Sequence, residues 1–186
     1  MDYTPGTFSD SQHPHITTHA HELALPLLFE SGMQHMPDRP SVYRELPETV
    51  RRLLSTLPTV WDDTRLLAGT PGDHVVIARR KGKVWYIAGI NGKDTAATLK
   101  FSLQRLSLGG SCTVCLITDE ADGRHFHIEP STPVSPDNVR LPAAWRLRPD
   151  SHGRHGQLDN RPVRKQRHKS QETRLPRFSH WIVITI

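Results

Sequence analysis

Two cysteines have a spacing that suggests metal or redox chemistry. Cys112 and Cys115 form a C-x-x-C pair, which is typical of zinc and thiol-redox sites. In the β-strand that this segment predicts, an offset of three places the side chains on opposite faces, with Cα atoms about 10 Å apart. A disulfide requires a Cα separation below about 7 Å. We therefore interpret both cysteines as ordinary strand residues.

A group of histidines suggests a metal site. Its members within a short stretch are His13, His15, His19 and His21. His19 and His21 lie two positions apart on a predicted helix, about 200° around its axis, so they cannot bind one ion together as an i, i+4 pair can. His21-Glu22 also lacks the second histidine of the zinc-protease motif, because Leu25 occupies that position. We expect no metal at this group.

Acidic and basic side chains come together in residues 61–65, Trp-Asp-Asp-Thr-Arg. Paired carboxylates can serve as general acid and base, but adjacent residues point in different directions. We expect instead a structural corner in which Asp62 or Asp63 pairs with Arg65.

The charge is unevenly distributed along the chain. Twenty-four Lys and Arg against nineteen Asp and Glu give a net charge of +5. Residues 140–186 hold eleven basic and three acidic residues (+8), which leaves thirteen basic and sixteen acidic (−3) in residues 1–139. Residues 161–169 could contact phosphates, but they lack interleaved aromatics for base stacking. The absence of interleaved aromatics from this basic segment therefore disfavours a nucleic-acid partner.

Residues 17–57 have a helical period of apolar side chains. The first stripe recurs at i, i+3, i+4, i+7 and i+8, and consists of Ala20, Leu23, Ala24, Leu27 and Leu28. Thr17 or Thr18 is the expected N-cap, and Pro26 predicts a bend near Leu25. A second helix is predicted from Pro47, with a stripe of Val50, Leu53, Leu54 and Leu57.

After Pro58 the apolar period changes to two, which predicts short antiparallel strands. Five are expected, at residues 74–80, 83–90, 99–103, 112–118 and 125–129. Lys81-Gly82 is the expected turn of the first hairpin. From about residue 130 regularity fails, and nine arginines between residues 140 and 177 predict an irregular, disordered tail. No stretch approaches the ~18 apolar residues of a membrane span, so we expect no membrane partner.

Four segments together resemble glycoside hydrolase family 97, whose members are α-glucosidases and α-galactosidases. They are MDYTPG (1–6), TTHAHELAL running into FES (17–31), LPTVWDDTR (57–65) and ARRKGKVWYIAGING (78–92). Their order and spacing match the family over about residues 1–130. The resemblance implies a family architecture of an N-terminal β-super-sandwich, a (β/α)8 catalytic barrel and a C-terminal β domain associated with oligomerisation.

On this basis we expect an α+β chain in three parts. Residues 1–57 would be the helical remnant of the last β/α unit of the barrel, residues 58–130 a small antiparallel β-sheet or sandwich domain, and residues 131–186 the basic tail. We hypothesise that a frameshift near Leu141 produced this tail. Asp2 and Tyr3 would lie at the rim of the substrate pocket of the parent barrel. The leucine stripes, including Leu23 and Leu53, would face barrel strands that are missing.

The resemblance also carries an expectation about function. The family cleaves α-glycosidic bonds with glutamates beside a calcium ion, on upstream segments that have no counterpart here. We therefore expect a truncated chain without catalytic residues or a cofactor of its own, which forms a homo-oligomer through the β domain. Carbohydrate would be a substrate only of full-length relatives. The alternative is a stand-alone dimerisation or carbohydrate-binding module. The family is usually periplasmic, but the start has no signal-peptide pattern, so the location stays open.

Overall fold

The computed structural model describes residues 2–11, 14, 16–92, 101–108, 112–134 and 182–185. The described residues form three α-helices: α1 (His19–Leu28), α2 (Pro40–Glu45) and α3 (Glu48–Thr56). A small parallel sheet pairs β1 (Asp2–Tyr3) with β2 (Met33–Gln34).

The larger sheet has six strands. They are β3 (Asp63–Thr70), β4 (His74–Lys81), β5 (Val84–Asn91), β6 (Cys112–Asp119), β7 (Phe126–Val134) and β8 (Ile182–Thr185). The order across the sheet is β3-β4-β5-β8-β6-β7, and every neighbouring pair is antiparallel. The mixed helix and antiparallel sheet agree with the predicted α+β class.

Helix α1 begins where the apolar stripe predicts. The Thr18 hydroxyl accepts a hydrogen bond from the His21 amide at 3.3 Å, as expected of an N-cap. Residues after Pro26 remain helical as far as Leu28, and the Phe29 amide donates to the Leu25 carbonyl at 3.0 Å. Pro26 is itself buried, and its carbonyl accepts a hydrogen bond from Gln34 Nε2 at 3.0 Å.

The predicted hairpin of β4 and β5 is confirmed, with its turn one residue later than the predicted Lys81-Gly82. Lys81 pairs with Val84, which leaves Gly82 and Lys83 as a two-residue turn. Gly82 has φ +58°, a conformation that glycine adopts at little cost. Strand β3 was not predicted, and it joins β4 with an irregular register between Leu66 and Ala68.

The sheet separates two hydrophobic clusters, because successive side chains of a strand point to opposite faces. Helices α1 and α3 cover one face, where buried residues include Leu23, Leu27, Val50, Leu53, Tyr86, Ile117 and Phe126. The other face buries Leu67, Trp85, Ile87, Leu103, Leu106 and Leu116. The expectation that the leucine stripes face absent barrel strands was wrong for Leu23, Leu27 and Leu53, since all three pack into the cluster shared with this chain's own sheet.

Two other predictions differ from the structure. Residues Leu103–Leu106 form a 3-10 helix rather than part of a strand, because Leu103 and Leu106, three apart, both turn onto the outer face of the sheet. Residues 93–100 lie outside the described part.

The irregular region was predicted to begin at about residue 130, but β7 continues to Val134 and Ile182–Thr185 form β8. Residues 135–181, including the rest of the predicted tail, are also outside the described part. Within it, each helix is too short to cross a bilayer.

Candidate functional site

The start of α1 is held by a buried carboxylate at the end of β6. Asp119 is fully buried, and its Oδ1 accepts a hydrogen bond from the Ala20 amide at 2.8 Å. The carbonyl of Gly123 accepts from the His19 amide at 2.9 Å. Burial raises the pKa of Asp119 to about 7, while the nearby Thr18 hydroxyl and the Ala20 amide oppose that rise. The turn between β6 and β7 therefore supports the positive end of the helix dipole.

A buried arginine on β4 holds the other end of α1. Arg79 is 4% exposed, and its Nη2 donates to the Leu28 carbonyl at 3.2 Å. Its Nη1 lies 3.2 Å from Glu30 Oε2, and the guanidinium lies over the Trp61 ring, 5.8 Å from the centroid. A cation near the last carbonyls of a helix is stabilising. Opposite charges on the sheet thus anchor both ends of α1.

Asp2 and Tyr3, the predicted rim residues, lie on β1. Asp2 is exposed, and its Oδ2 lies 4.0 Å from His35 Nε2. Tyr3 is partly buried beside Phe29, with ring centroids 5.1 Å apart, and its carbonyl accepts from the His35 amide at 2.8 Å. Burial, with a smaller contribution from Glu22, raises the pKa of the Tyr3 hydroxyl. Asp2 is thus exposed and Tyr3 partly buried on the same short strand, and their role at a pocket rim stays a prediction.

The acidic pair at residues 62 and 63 has structural partners. Asp63 Oδ2 lies 2.9 Å from Arg65 Nη2, which confirms the predicted pairing. Asp62 accepts from the Gly82 amide at 2.7 Å and from Lys81 Nζ at 3.1 Å. The hydrogen bond from the Gly82 amide holds the pKa of Asp62 below its usual range. Both carboxylates therefore brace the corner formed by β3 and the β4–β5 hairpin.

The residues with metal-ligand chemistry are dispersed. Cys112 and Cys115 are free thiols, and burial raises the pKa of Cys112, which disfavours the reactive thiolate. His19 packs between Phe8 and Phe126, at centroid distances of 5.6 and 5.8 Å. His13 and His15 lie outside the described residues. Over the described ranges no three His, Cys, Asp or Glu side chains are placed to hold a metal, so the calcium implied by the resemblance has no fitting ligand set there.

Exposed apolar side chains mark the surface of the β domain. The large ones in β3, β5 and the preceding link are Val60 (65% exposed), Leu66 (56%) and Val84 (37%). Leu66 lies on β3 at an end of the sheet order, and its carbonyl accepts from Arg105 at 3.4 Å. Sequence reasoning missed Leu66 because it did not predict β3.

A groove of about 290 Å³ lies between α3 and the helix-side face of the sheet. Its lining is rich in hydroxyl groups, which belong to Thr49, Thr56, Tyr86, Thr113 and Ser131. Arg52 and Cys115 also contact it. The groove thus offers several hydrogen-bond donors and acceptors beside one cation.

Comparison with known proteins identifies the β domain. A family model described as the glycosyl-hydrolase 97 C-terminal, oligomerisation, matches residues 60–143. The chain is 42% identical over 123 residues to a probable retaining alpha-galactosidase from Streptomyces bingchenggensis, which covers 66% of this chain and 19% of that protein. It is 38% identical over 100 residues to a retaining alpha-galactosidase from Bacteroides thetaiotaomicron. This match covers 48% of this chain and 15% of that protein. The chain thus spans less than a fifth of the length of either relative.

Solved structures agree with this match. A beta-arabinopyranosidase crystal structure has a TM-score of 0.60 and 28% identity, over 74% of this chain and 21% of that one. A glycoside hydrolase family 97 enzyme from Pseudoalteromonas sp. in complex with acarbose has a TM-score of 0.61 and 26% identity. The match covers 77% of this chain and 23% of that one. The chain is therefore similar to members of glycoside hydrolase family 97, and its residues 60–143 match the model of that family's C-terminal domain.

Proposed function

We propose that this chain is an oligomerisation module that forms a homo-oligomer through its β domain and does not cleave glycosides by itself. The observation that carries the proposal is the match of residues 60–143 to a domain described by its role in oligomerisation. These residues include strands β3 to β7. The exposed Leu66 on edge strand β3 supplies an apolar contact that a second copy would cover.

Four carboxylates of the described residues support the second half of the proposal, because each has a structural partner. Asp119 holds the start of α1, and Asp62 and Asp63 brace the hairpin corner. Asp38 accepts from the Ser9 amide at 3.1 Å and so fixes the segment that precedes α1. A glycosidase needs two carboxyl groups that face one glycosidic bond. We propose that such a pair, and the α-galactosidase activity named for the relatives, requires polypeptide beyond this chain.

We also propose that residues 1–57 are the remnant of the last β/α unit of a catalytic barrel. The parallel pairing of β1 and β2 supports this, because parallel strands usually belong to larger sheets covered on both faces. Met33 in β2 is exposed, and so is Phe29, which precedes β2 in the chain. In the parent barrel the remaining strands would extend this pair, and Asp2 and Tyr3 would then lie at the substrate rim.

Two matched variants test the oligomerisation surface. Leu66→Asp places a charge on the edge of the β domain, whereas Ile16→Asp places the same charge at a similarly exposed apolar position (62%) outside it. Light scattering coupled to size exclusion should show weaker association for Leu66→Asp only. Equal effects of the two substitutions would contradict the assignment of the surface.

A hydrolysis assay tests the absence of activity. The purified 186-residue chain should not release nitrophenol from a nitrophenyl α-galactoside, with or without added calcium. Calcium-dependent release, retained after repurification, would overturn this half of the proposal and leave the oligomerisation half standing.

The hydroxyl-lined groove favours a second candidate function, carbohydrate binding by the β domain. Hydroxyl groups and an arginine match the hydrogen-bonding groups of a sugar. A calorimetric titration with maltooligosaccharides, repeated on Arg52→Gln, tests it. Binding that weakens in the variant would support this function, and heats equal to those of dilution would exclude it.

A further inference from the structure

A second groove lies on the outer side of α2 and α3, at residues 36–55. It has a volume of about 340 Å³ and is lined by Met36, Tyr43, Arg44, Arg51, Leu54 and Ser55. Tyr43 and Leu54 are half-buried and also pack against the helix-side cluster, so the floor of the groove is continuous with the core. The groove lies outside residues 60–143, and so outside the segment matched to the oligomerisation domain.

The floor of this groove is held in place before any partner binds. The Tyr43 hydroxyl donates to the Gly6 carbonyl at 3.0 Å and accepts from the Asp38 amide at 3.1 Å. Asp38 in turn accepts from the Ser9 amide at 3.1 Å. These hydrogen bonds tie α2 to the segment before α1, and such preorganisation lowers the entropic cost of binding.

Two cations border the apolar floor. Arg44 is in the last turn of α2 and Arg51 is in α3, and both are exposed. Neither has an ion-pair or hydrogen-bond partner for its side chain within the described residues, whereas Arg65, Arg79 and Arg124 all have carboxylate partners. A ligand that carries carboxylates next to an apolar group would therefore form ion pairs with the guanidinium groups and bury its apolar group on the floor.

We propose that this groove binds an acidic, amphipathic polypeptide segment, which places an apolar side chain on Tyr43 and Leu54 and carboxylates beside Arg44 and Arg51. The volume is at the lower end for small-molecule sites, and four of the six lining residues are exposed, so the groove suits a side chain presented by a backbone better than an enclosed ligand. This chain's own residues 140–186 do not fit, because their +8 charge repels the two arginines. The proposed occupant is therefore not residues 140–186 but an acidic segment of a partner polypeptide.

Fluorescence anisotropy with short labelled peptides tests the proposal on the full 186-residue chain. The probe has an Asp-Leu-Leu-Glu centre, one control peptide replaces both leucines with serine, and another replaces the acids with their amides. We expect the probe to bind and each control peptide to bind at least about tenfold more weakly, since apolar and charged contacts both contribute. Added salt should weaken the probe's binding.

Matched arginine variants locate the binding site. The double variant Arg44→Gln/Arg51→Gln should weaken probe binding about tenfold, whereas Arg52→Gln, on the same helix but lining the other groove, should change it less than about twofold. All three positions are exposed, and thermal unfolding checks that both variants stay folded.

Three results would overturn the proposal. They are no probe binding at about 1 mM, equal binding of the probe and the serine peptide, and equal effects of the double variant and Arg52→Gln. Self-association that disappears only in the double variant would also overturn it, because a second copy would then be the occupant.

Discussion

Asp119 and Arg79 place opposite charges at opposite ends of α1, inside the core. The backbone groups at helix termini need hydrogen-bond partners. Asp119 accepts from the Ala20 amide at the start of α1, and Arg79 donates to the Leu28 carbonyl at its end. Each also leaves one polar atom, Asp119 Oδ2 and Arg79 Nε, without a hydrogen bond in the described part of the chain. The two charges therefore orient α1 on the sheet at a cost in desolvation.

Asp119 makes stability depend on pH. Its pKa is about 7 in the folded chain and 3.8 in an ordinary aspartate, so the folded state binds the extra proton between these values. The contribution of Asp119 to the free energy of unfolding should be highest below about pH 4 and fall as the pH rises through about 7, by on the order of 4 kcal/mol for a shift of this size. Urea titrations across this range should show the fall.

Matched variants isolate this carboxyl from its charged neighbours, Asp122 and Arg124. Asp119→Asn should flatten the pH dependence. Asp122→Asn should keep the fall, because hydrogen bonding lowers the pKa of Asp122 to about 2, below the range. The pKa of His125 is raised by its hydrogen bond to Asp122, so the contribution of His125 should remain in Asp119→Asn and be lost in Asp122→Asn. An unchanged slope in Asp119→Asn would contradict the assignment.

Gly123 is required at the contact between the β6–β7 turn and α1. It has φ +68°, and a Cβ there would lie 2.9 Å from Thr18 Cγ2. Gly123→Ala should lower the free energy of unfolding by about 2 kcal/mol, from backbone strain and the clash together. Gly72→Ala, with φ +77° and open space around it, should lose only about 1 kcal/mol.

A double variant separates the two costs at Gly123. Thr18→Ser removes Cγ2 and keeps the capping hydroxyl, so it should recover part of the stability lost in Gly123→Ala. Chemical denaturation of the four chains gives the coupling. Strict additivity of the two substitutions would show that the side-chain contact is unimportant.

At the scale of elements, β8 joins the two halves of the sheet. It pairs with β5 on one side and β6 on the other, and β5 and β6 are not neighbours in the sheet. Ile184 pairs with Ile87 of β5 and with Leu116 of β6. A proline at Ile184 would remove an amide hydrogen from a central strand.

We therefore expect Ile184→Pro to unfold the sheet at a much lower denaturant concentration than the wild type. The control Ile184→Val keeps the backbone amide and should shift the midpoint little, since it removes one methylene. Circular dichroism during a urea titration measures both. Coincident curves for the proline variant and the wild type would contradict a central position for β8.

The elements that sequence predicted are those with local signals. Helix α1 follows an apolar stripe and a threonine cap, and the β4–β5 hairpin follows β-branched runs around Lys81-Gly82. Strand β3 lies at the sheet edge, where most of its side chains are not buried, so its sequence lacks a strict alternation. The place of β8 depends on pairing with residues about a hundred positions away, which no local pattern encodes.

At the scale of the whole molecule, the helices and the β domain share one core. The cluster between them combines Leu27 and Val50 from the helices with Tyr86 and Ile117 from the sheet. The resemblance predicted the family and the oligomerisation domain, because four ordered segments carry more information than one motif. It did not predict that the helix stripes pack on the sheet, since sequence shows which side chains are buried and not what buries them.

Sedimentation velocity on the purified chain tests the central claim most directly. Over roughly a hundredfold range of concentration, an oligomerisation module should sediment as a multiple of its 21.1 kDa mass, with dissociation at the dilute end. A single monomeric species at every concentration would contradict the account.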